Sequence, residues 1–345
     1  MRAPRFWSRP PGLAAAALAP LAAVYGAVTA RRMARSGLEP PAPLLCVGNF
    51  TVGGTGKTPT AIALGRLALE QDLAVVYLTR GYGGRLAGPL VVDLATHEAS
   101  EVGDEALLLA RVAPTVVARD RAAALPLLAG LRPGLIVMDD GLQNPVLRKD
   151  LSLAVVDGEA GFGNCLVVPA GPLRAPLARQ AGHVDALLVI GAGEGVHAAE
   201  RLARTRAIPV LGGRLVARAT AERPGRAVLA FAGIGRPEKF FAQLARDGIE
   251  VARTVAFGDH QPLSEADARR LLLEAEREGL TLVTTEKDAA RLPRDSRGPL
   301  AELAREALAY GVELRFVDTG AARALIAAAV AAQGGARRRR PADSR

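Results

Sequence analysis

Thr51-Val52-Gly53-Gly54-Thr55-Gly56-Lys57-Thr58 decides the reading of this 345-residue chain. The octet follows an apolar run, Leu44-Leu45-Cys46-Val47, with the continuous hydrophobicity of a buried strand. It precedes Pro59-Thr60-Ala61-Ile62-Ala63-Leu64-Gly65, which reads as a helix. Strand, glycine-rich loop, Lys-Thr and helix is the order of a phosphate-binding P-loop. Glycines let backbone N–H groups turn toward phosphate oxygens, and the helix adds the positive end of its dipole. Residues Thr51, Val52, Gly53, Gly54, Thr55, Gly56, Lys57 and Thr58 are therefore the expected nucleotide-binding set. Lys57 would reach the β- and γ-phosphates and Thr58 would ligate Mg²⁺, so ATP and Mg²⁺ are the implied cofactors. Thr51 stands where such a loop usually has its first glycine; Gly53-Gly54 can supply the permissive backbone instead.

Composition supports Lys57. Of 44 basic residues only Lys57, Lys149, Lys239 and Lys287 are lysines. In a chain so biased to arginine, a lysine points to a place where a compact ammonium does what a guanidinium fork cannot.

Downstream, apolar β-forming runs alternate with helical segments. Strands are expected at Leu73–Leu78, Thr115–Ala118, Leu135–Met138, Ser152–Val156 and Ala186–Ile190, with helices at Asp104–Val112 and Arg121–Leu131 between them. Several of the strands are apolar throughout, the pattern of a parallel sheet covered on both faces. Ligands on such a sheet bind beyond the carboxyl ends of the strands. A second, smaller α/β unit is expected from Arg226, with strands at Val228–Phe231, Thr281–Thr285 and Glu313–Val317, an extended segment at Glu250–Phe257, and helices at Pro237–Arg246, Ser264–Gly279 and Ala321–Gln333. The predicted organisation is a membrane-associated N-terminal helix in 1–35, a P-loop NTPase-like domain in 36–218, a linker in 219–225, the second α/β domain in 226–333 and a disordered basic tail in 334–345.

The net charge of +9 is concentrated at the ends. Arg2, Arg5, Arg9, Arg31, Arg32 and Arg35 flank an uncharged segment, Gly12–Ala30, and Arg337–Arg340 form a run near the C-terminus. There is no basic stripe with interleaved aromatics, so nucleic acid is not an expected partner. An anionic membrane surface suits basic ends better. As a helix Gly12–Ala30 is ~28 Å long, close to the ~30 Å bilayer core. Three readings compete: a secretory signal, which fits arginine before the apolar run and small residues after it; a spanning helix, which the Ala-rich, mildly hydrophobic segment with Pro20 disfavours; and a helix lying in the interface. ATP-dependent chemistry belongs in the cytosol, which favours a membrane anchor over export. Cys46 and Cys165 fit no metal or redox spacing. No obligate protein partner is called for.

Asp139 ends an apolar strand, the Walker B arrangement, from which its carboxylate would hold Mg²⁺ opposite Thr58. A helix-capping role is the alternative. Asp140 beside it could assist. By spacing alone Asp104-Glu105 is an acidic helix start, His260 a solvated loop histidine and Arg174 a surface arginine in a rigid loop.

Taken together, Val47-Gly48-Asn49 with the octet and Pro59, Arg80-Gly81-Tyr82-Gly83, Gly103-Asp104-Glu105, Asp139-Asp140-Gly141-Leu142-Gln143, Gly171-Pro172-Leu173-Arg174, Asp259-His260 and Thr285-Glu286-Lys287-Asp288-Ala289 resemble, in order, the tetraacyldisaccharide 4′-kinase family of lipid A synthesis. The resemblance implies transfer of the ATP γ-phosphate to the 4′-hydroxyl of an acylated glucosamine disaccharide 1-phosphate, at the cytoplasmic face of the inner membrane, by a peripheral or monotopic enzyme. It implies Asp104 as base, His260 tuning it from the second domain after closure, Glu105 supporting the metal, and Arg174 stabilising the transferred phosphoryl group. Asp140, Gln143, Arg80 and Tyr82 become supporting residues. Two positions depart from the family's pattern: Asn144 replaces a histidine, and Ala175 stands where an acidic residue often follows the arginine. The latter predicts less balanced charge around Arg174. A GTPase switch would want an Asn-Lys-x-Asp guanine reader, which the sequence lacks; a membrane scaffold with a vestigial nucleotide site differs in lacking turnover.

Overall fold

The computed structural model describes residues 4–218, 224–259, 261–293 and 297–338, with 334–338 described as backbone. In chain order the strands are β1 (Leu44–Asn49), β2 (Val75–Thr79), β3 (Leu90–Val91), β4 (Thr115–Val117), β5 (Leu135–Asp139), β6 (Leu151–Asp157), β7 (Ala186–Ile190), β8 (Val210–Ala217), β9 (Val228–Ala232), β10 (Val251–Ala256), β11 (Thr281–Thr285), β12 (Leu308–Tyr310) and β13 (Val312–Phe316). The first sheet has nine strands in the order β13-β8-β7-β6-β1-β5-β2-β4-β3. It is parallel except at its edges, where β3 and β13 pair antiparallel. The second sheet is parallel, in the order β10-β9-β11-β12.

The uniformly apolar strands are buried on both faces. Alternate residues of β1 and β5, Leu45 and Val47 with Leu135 and Val137, pack under the Lys57–Leu69 helix. Their neighbours Leu44, Cys46, Ile136 and Met138 pack on the opposite side with Leu128 of the Leu125–Leu131 helix. Further along that side, Ala154, Val156, Leu187 and Val189 meet the Glu194–Arg206 helix through Ala199 and Ala203. Each large aliphatic side chain so buried contributes about 1.5–3 kcal/mol. The Lys57–Leu69 helix lies close to the sheet because Gly65 has no side chain: a Cβ there would fall 1.9 Å from the Tyr77 hydroxyl oxygen.

Two expectations are corrected. The strand and final helix assigned to the second domain belong to the first. β13 pairs with β8, and Ala322, Ile326 and Ala329 of the Thr319–Arg338 helix join the core containing Leu45 and Val47. The chain thus crosses between the sheets twice, and the returning strand covers an edge that β8 would otherwise expose. Hydrophobic alternation is blind to which sheet a strand joins. The helix also continues to Arg338, past the start of the tail expected to be disordered; residues 339–345 lie outside the described residues.

β1 sits between β5 and β6, although β2 and β5 lie in the opposite chain order beside it. The carboxyl ends of β1, β5 and β6 thus lie at a change in strand order, the place where open α/β sheets bind ligands.

Candidate functional site

The glycine-rich loop leaves β1 at Asn49, a buried residue whose side chain donates to the carbonyls of Thr51 (2.7 Å) and Gly53 (3.4 Å). Gly53 and Gly56 have φ of 110° and 93°, conformations that favour glycine. A side chain added at Gly53 or Gly54 would meet nothing within 4 Å, so the backbone is open on that side. Gly56 is followed directly by the Lys57–Leu69 helix.

Loop 171–174 pairs with the start of the glycine-rich loop. Val52 N donates to Pro172 O (2.8 Å) and Arg174 N to Phe50 O (2.9 Å). The guanidinium of Arg174 then reaches Thr51 O through Nε (3.0 Å) and both oxygens of Asp140 through Nη1 (3.0 and 3.2 Å). Asp140 also lies 3.8 Å from Lys57 Nζ. Its φ of 54° is unusual for a residue with a side chain and turns the carboxylate from the end of β5 toward both cations. Asp140 thereby supplies the charge balance that Ala175 does not. Ala175 is fully buried, with its carbonyl accepting from Gln180 Nε2 (2.6 Å). Asn144, the other departure, turns its side-chain oxygen onto the Val146 N–H (2.9 Å).

Thr58 donates to Asp139 Oδ2 (2.9 Å), and both are buried. Asp139 Oδ1 is buried with no hydrogen-bond partner. Burial, then the charges of Glu105 and Asp140, push the Asp139 carboxyl up to about 7, against the opposing pull of Lys57 and the Thr58 hydroxyl. Burial likewise lowers the Lys57 ammonium, with Asp140 opposing.

Asp104 and Glu105 open the Asp104–Ala110 helix, Asp104 being almost fully buried. Both face cations from the second unit: Arg291 Nη2 donates to Asp104 Oδ2, and Lys287 Nζ to Glu105 Oε1. Burial lowers Lys287, but Glu105 and Asp104 outweigh it and raise the ammonium above its ordinary value. Gln143 donates to Asn49 O and to Gln180 Oε1, both at 2.7 Å. The Arg80–Gly83 loop lies against the start of the Asp104 helix, since a Cβ at Gly103 would fall 2.4 Å from Tyr82 O; Arg80 and Tyr82 are themselves exposed. His260 lies outside the described residues. Its neighbour Asp259 adjoins Gly235, which in turn faces the glycine-rich loop: a Cβ at Gly235 would sit 3.3 Å from Asp259 Oδ2 and 3.8 Å from Gly54 N.

The structure therefore brings Lys57, Thr58, Asp139, Asp140 and Arg174 together, with Asp104 and Glu105 at the junction of the two units. Residue-by-residue reading missed Asn49, Gln180 and Arg291, and assigned no role to Asp157. Asp157 ends β6 and binds Arg236 Nη1 (2.7 Å) and Lys239 Nζ from the second unit. One signal pointed there. Three of the four lysines engage a carboxylate at the site or the inter-unit contact: Lys57 meets Asp140, Lys239 donates to Asp157 and Lys287 to Glu105, whereas Lys149 donates to Leu142 O within the first unit.

Fold and site define an α/β protein with a parallel-dominated sheet and a cluster of charged side chains at the carboxyl ends of its central strands. A family model, Tetraacyldisaccharide-1-P 4'-kinase, matches residues 14–331, and the chain belongs to that family. A tetraacyldisaccharide 4'-kinase of Methylorubrum extorquens is 57% identical over 317 residues, covering 92% of this chain and 97% of the relative. The protein of the same name from Nitrobacter winogradskyi is 46% identical over 328 residues, 94% of this chain and 97% of its own. The crystal structure of LpxK from Aquifex aeolicus in complex with ATP shares the fold, with a TM-score of 0.68 at 24% identity, covering 92% of this chain and 99% of that one.

Proposed function

We propose that this chain is an ATP-dependent kinase that phosphorylates the 4′-hydroxyl of tetraacyl-disaccharide 1-phosphate, a step of lipid A biosynthesis yielding lipid IVA. The observation that carries the reading is the meeting of Lys57, Thr58, Asp139, Asp140 and Arg174 around one open glycine-rich loop, in a member of this family.

In this reading residues Thr51–Thr58 form a P-loop. Its amides and Lys57 hold the β- and γ-phosphates, and Asp140 keeps Arg174 beside the transferred group. The buried, unpartnered Oδ1 of Asp139 and the adjacent Thr58 hydroxyl fit Mg²⁺, with Glu105 within electrostatic reach of Asp139. Among the described residues no cluster of three metal-ligating side chains occurs; Mg²⁺ characteristically uses one or two carboxylates with water and phosphate oxygens. Mg²⁺ there would neutralise charge developing on the phosphates. Asp104 takes the proton of the 4′-hydroxyl as its oxygen bonds to the γ-phosphorus and the β,γ-bridging bond breaks, releasing ADP. His260 supports Asp104 from the second unit.

The Leu13–Met33 helix is long and apolar enough to cross a membrane and is mostly outside the packed body. It exposes Leu13, Leu21, Val24 and Val28 and ends in Arg31-Arg32. We read it as a monotopic or peripheral anchor on the cytoplasmic face of the inner membrane, so that the acyl chains need not leave lipid; each extracted CH₂ would cost ~0.8 kcal/mol.

The test is Asp104→Asn on folded protein at saturating ATP and lipid. The account expects turnover to fall ~10²–10⁴-fold with nucleotide binding retained. A helix-start role alone would leave turnover near normal and lower stability instead.

A further inference from the structure

One short helix, Glu286–Arg291, carries three charged contacts from the second unit to the first. Glu286 accepts from both terminal nitrogens of Arg218 (2.7 and 3.2 Å), Lys287 pairs with Glu105, and Arg291 pairs with Asp104. Arg291 is the most connected. Its Nη1 donates to Gly233 O and to Asp288 Oδ1, both at 3.0 Å, while Nη2 is turned to Asp104. Asp288 is itself buried and held by the Gly233 N–H (3.1 Å) and the Thr285 hydroxyl (2.7 Å). The guanidinium is thus fixed from behind by strand-end backbone and a buried carboxylate, and its second terminal nitrogen addresses a carboxylate in the other unit. Two residues beyond Gly233, Gly235 stands against the Gly54 amide of the glycine-rich loop.

We propose that Arg291 is a positioning residue for the phosphoryl transfer: it fixes the Asp104 carboxylate and ties it to the Gly233–Gly235 segment seated on the glycine-rich loop. The inference rests on the reading of Asp104 as the base. The Glu105 N–H already holds Asp104 Oδ1 (2.7 Å), and the planar guanidinium, anchored on its far side, holds Oδ2, so that together they select one rotamer of the carboxylate. Arg291 need not touch either substrate. It acts by holding the base where the acceptor hydroxyl arrives, and misplacement by about 1 Å can cost a reaction ~10²-fold.

The experiment compares full-length wild type with Arg291→Gln, Arg291→Lys, Asp288→Asn, Asp104→Asn and the Arg291→Gln/Asp104→Asn double variant. Steady-state transfer to the acylated disaccharide 1-phosphate in detergent micelles gives kcat and KM, and calorimetry with a non-hydrolysable ATP analogue gives nucleotide affinity. Arg291→Gln should lower kcat by about 10- to 10²-fold while KM for ATP and analogue affinity stay near wild type. Arg291→Lys should recover only part of the loss, because an ammonium keeps a positive charge beside Asp104 but not the fork anchored on Gly233 and Asp288. Asp288→Asn, which leaves the cation but loosens its anchor, should lower kcat less, and it carries the test if Arg291→Gln does not fold. The double variant should be no slower than Asp104→Asn, since residues acting as a unit are non-additive. Wild-type kcat in Arg291→Gln, equal losses in Gln and Lys variants that follow thermal stability, or multiplicative losses in the double variant would overturn the proposal with Asp104 still the base. Normal turnover of Asp104→Asn would instead overturn the reading beneath it.

Discussion

Thr58 donates its hydroxyl hydrogen to Asp139 Oδ2 at 2.9 Å, joining the first turn of the helix after the glycine-rich loop to a strand end 81 residues away. The parallel pairing of β1 with β5, Val47 beside Asp139, sets that distance. Sheet register therefore places the candidate cation ligands, and the glycine-rich loop that precedes Thr58 need only be open.

Lys57 is buried, with its ammonium 3.8 Å from Asp140 Oδ1. Lys57→Ala should reduce phosphate transfer by at least about 10²-fold with little change in circular dichroism. Lys57→Arg should also be poor, because a guanidinium is too bulky for the site the loop leaves. Wild-type turnover in either variant, assayed by product formation, would remove Lys57 from the mechanism.

Removing residues 1–30 should move the protein from membrane to soluble fractions and lower its activity. The N-terminal segment does more than expose apolar surface. Gly26 packs near Pro176 and Val167, Trp7 Nε1 donates to Pro169 O (3.0 Å), and Asn164 N donates to Trp7 O (2.8 Å). These contacts brace the loop that delivers Arg174, so kcat should fall even with a short-chain, micelle-soluble acceptor. Membrane recovery equal to wild type in flotation assays would place the anchor elsewhere.

Asp157 supplies a pH-dependent link between the units. Burial raises its carboxyl, but the Lys239 ammonium, Arg236 and the Glu159 N–H outweigh that and hold it below its ordinary 3.8. A depressed folded-state pKa means stability that is present above 3.8 and lost as pH falls through the lower folded value. At neutral pH Asp157→Asn should cost about 1–2 kcal/mol, reduced by the partial exposure of both cations. The gap to wild type in denaturant unfolding should narrow below pH 3.8. A gap that is constant with pH would show that the ion pairs contribute nothing.

Gly65→Ala should destabilise the first domain by about 1–3 kcal/mol through overpacking, since the new methyl would collide with Tyr77 Oη. Tyr77→Phe should relieve most of that cost. Unchanged melting in Gly65→Ala would contradict the close helix–sheet approach.

Much of this was legible in the chain. The octet, the apolar strands and the Asp139 strand end mark a parallel α/β sheet and the edge that carries the candidate site, because each is a local pattern with a local cause. What the sequence hid is non-local. Short edge strands such as Leu90–Val91 and Leu308–Tyr310 carry too few residues for a periodic signal. The return of Val312–Phe316 to the first sheet depends on an edge that only the folded sheet has. Arg291 and Asp157 look like ordinary surface charges until their partners arrive from residues 187 and 79 positions away.

Phosphate transfer to the lipid is read by incubating the purified full-length protein with [γ-³²P]ATP, Mg²⁺ and tetraacyl-disaccharide 1-phosphate, and separating lipid from inorganic products. The account predicts label in a 4′,1-bisphosphorylated lipid, absent with Lys57→Ala and strongly reduced with Asp104→Asn. Label released only as inorganic phosphate, or lipid labelling that survives both substitutions, would contradict it.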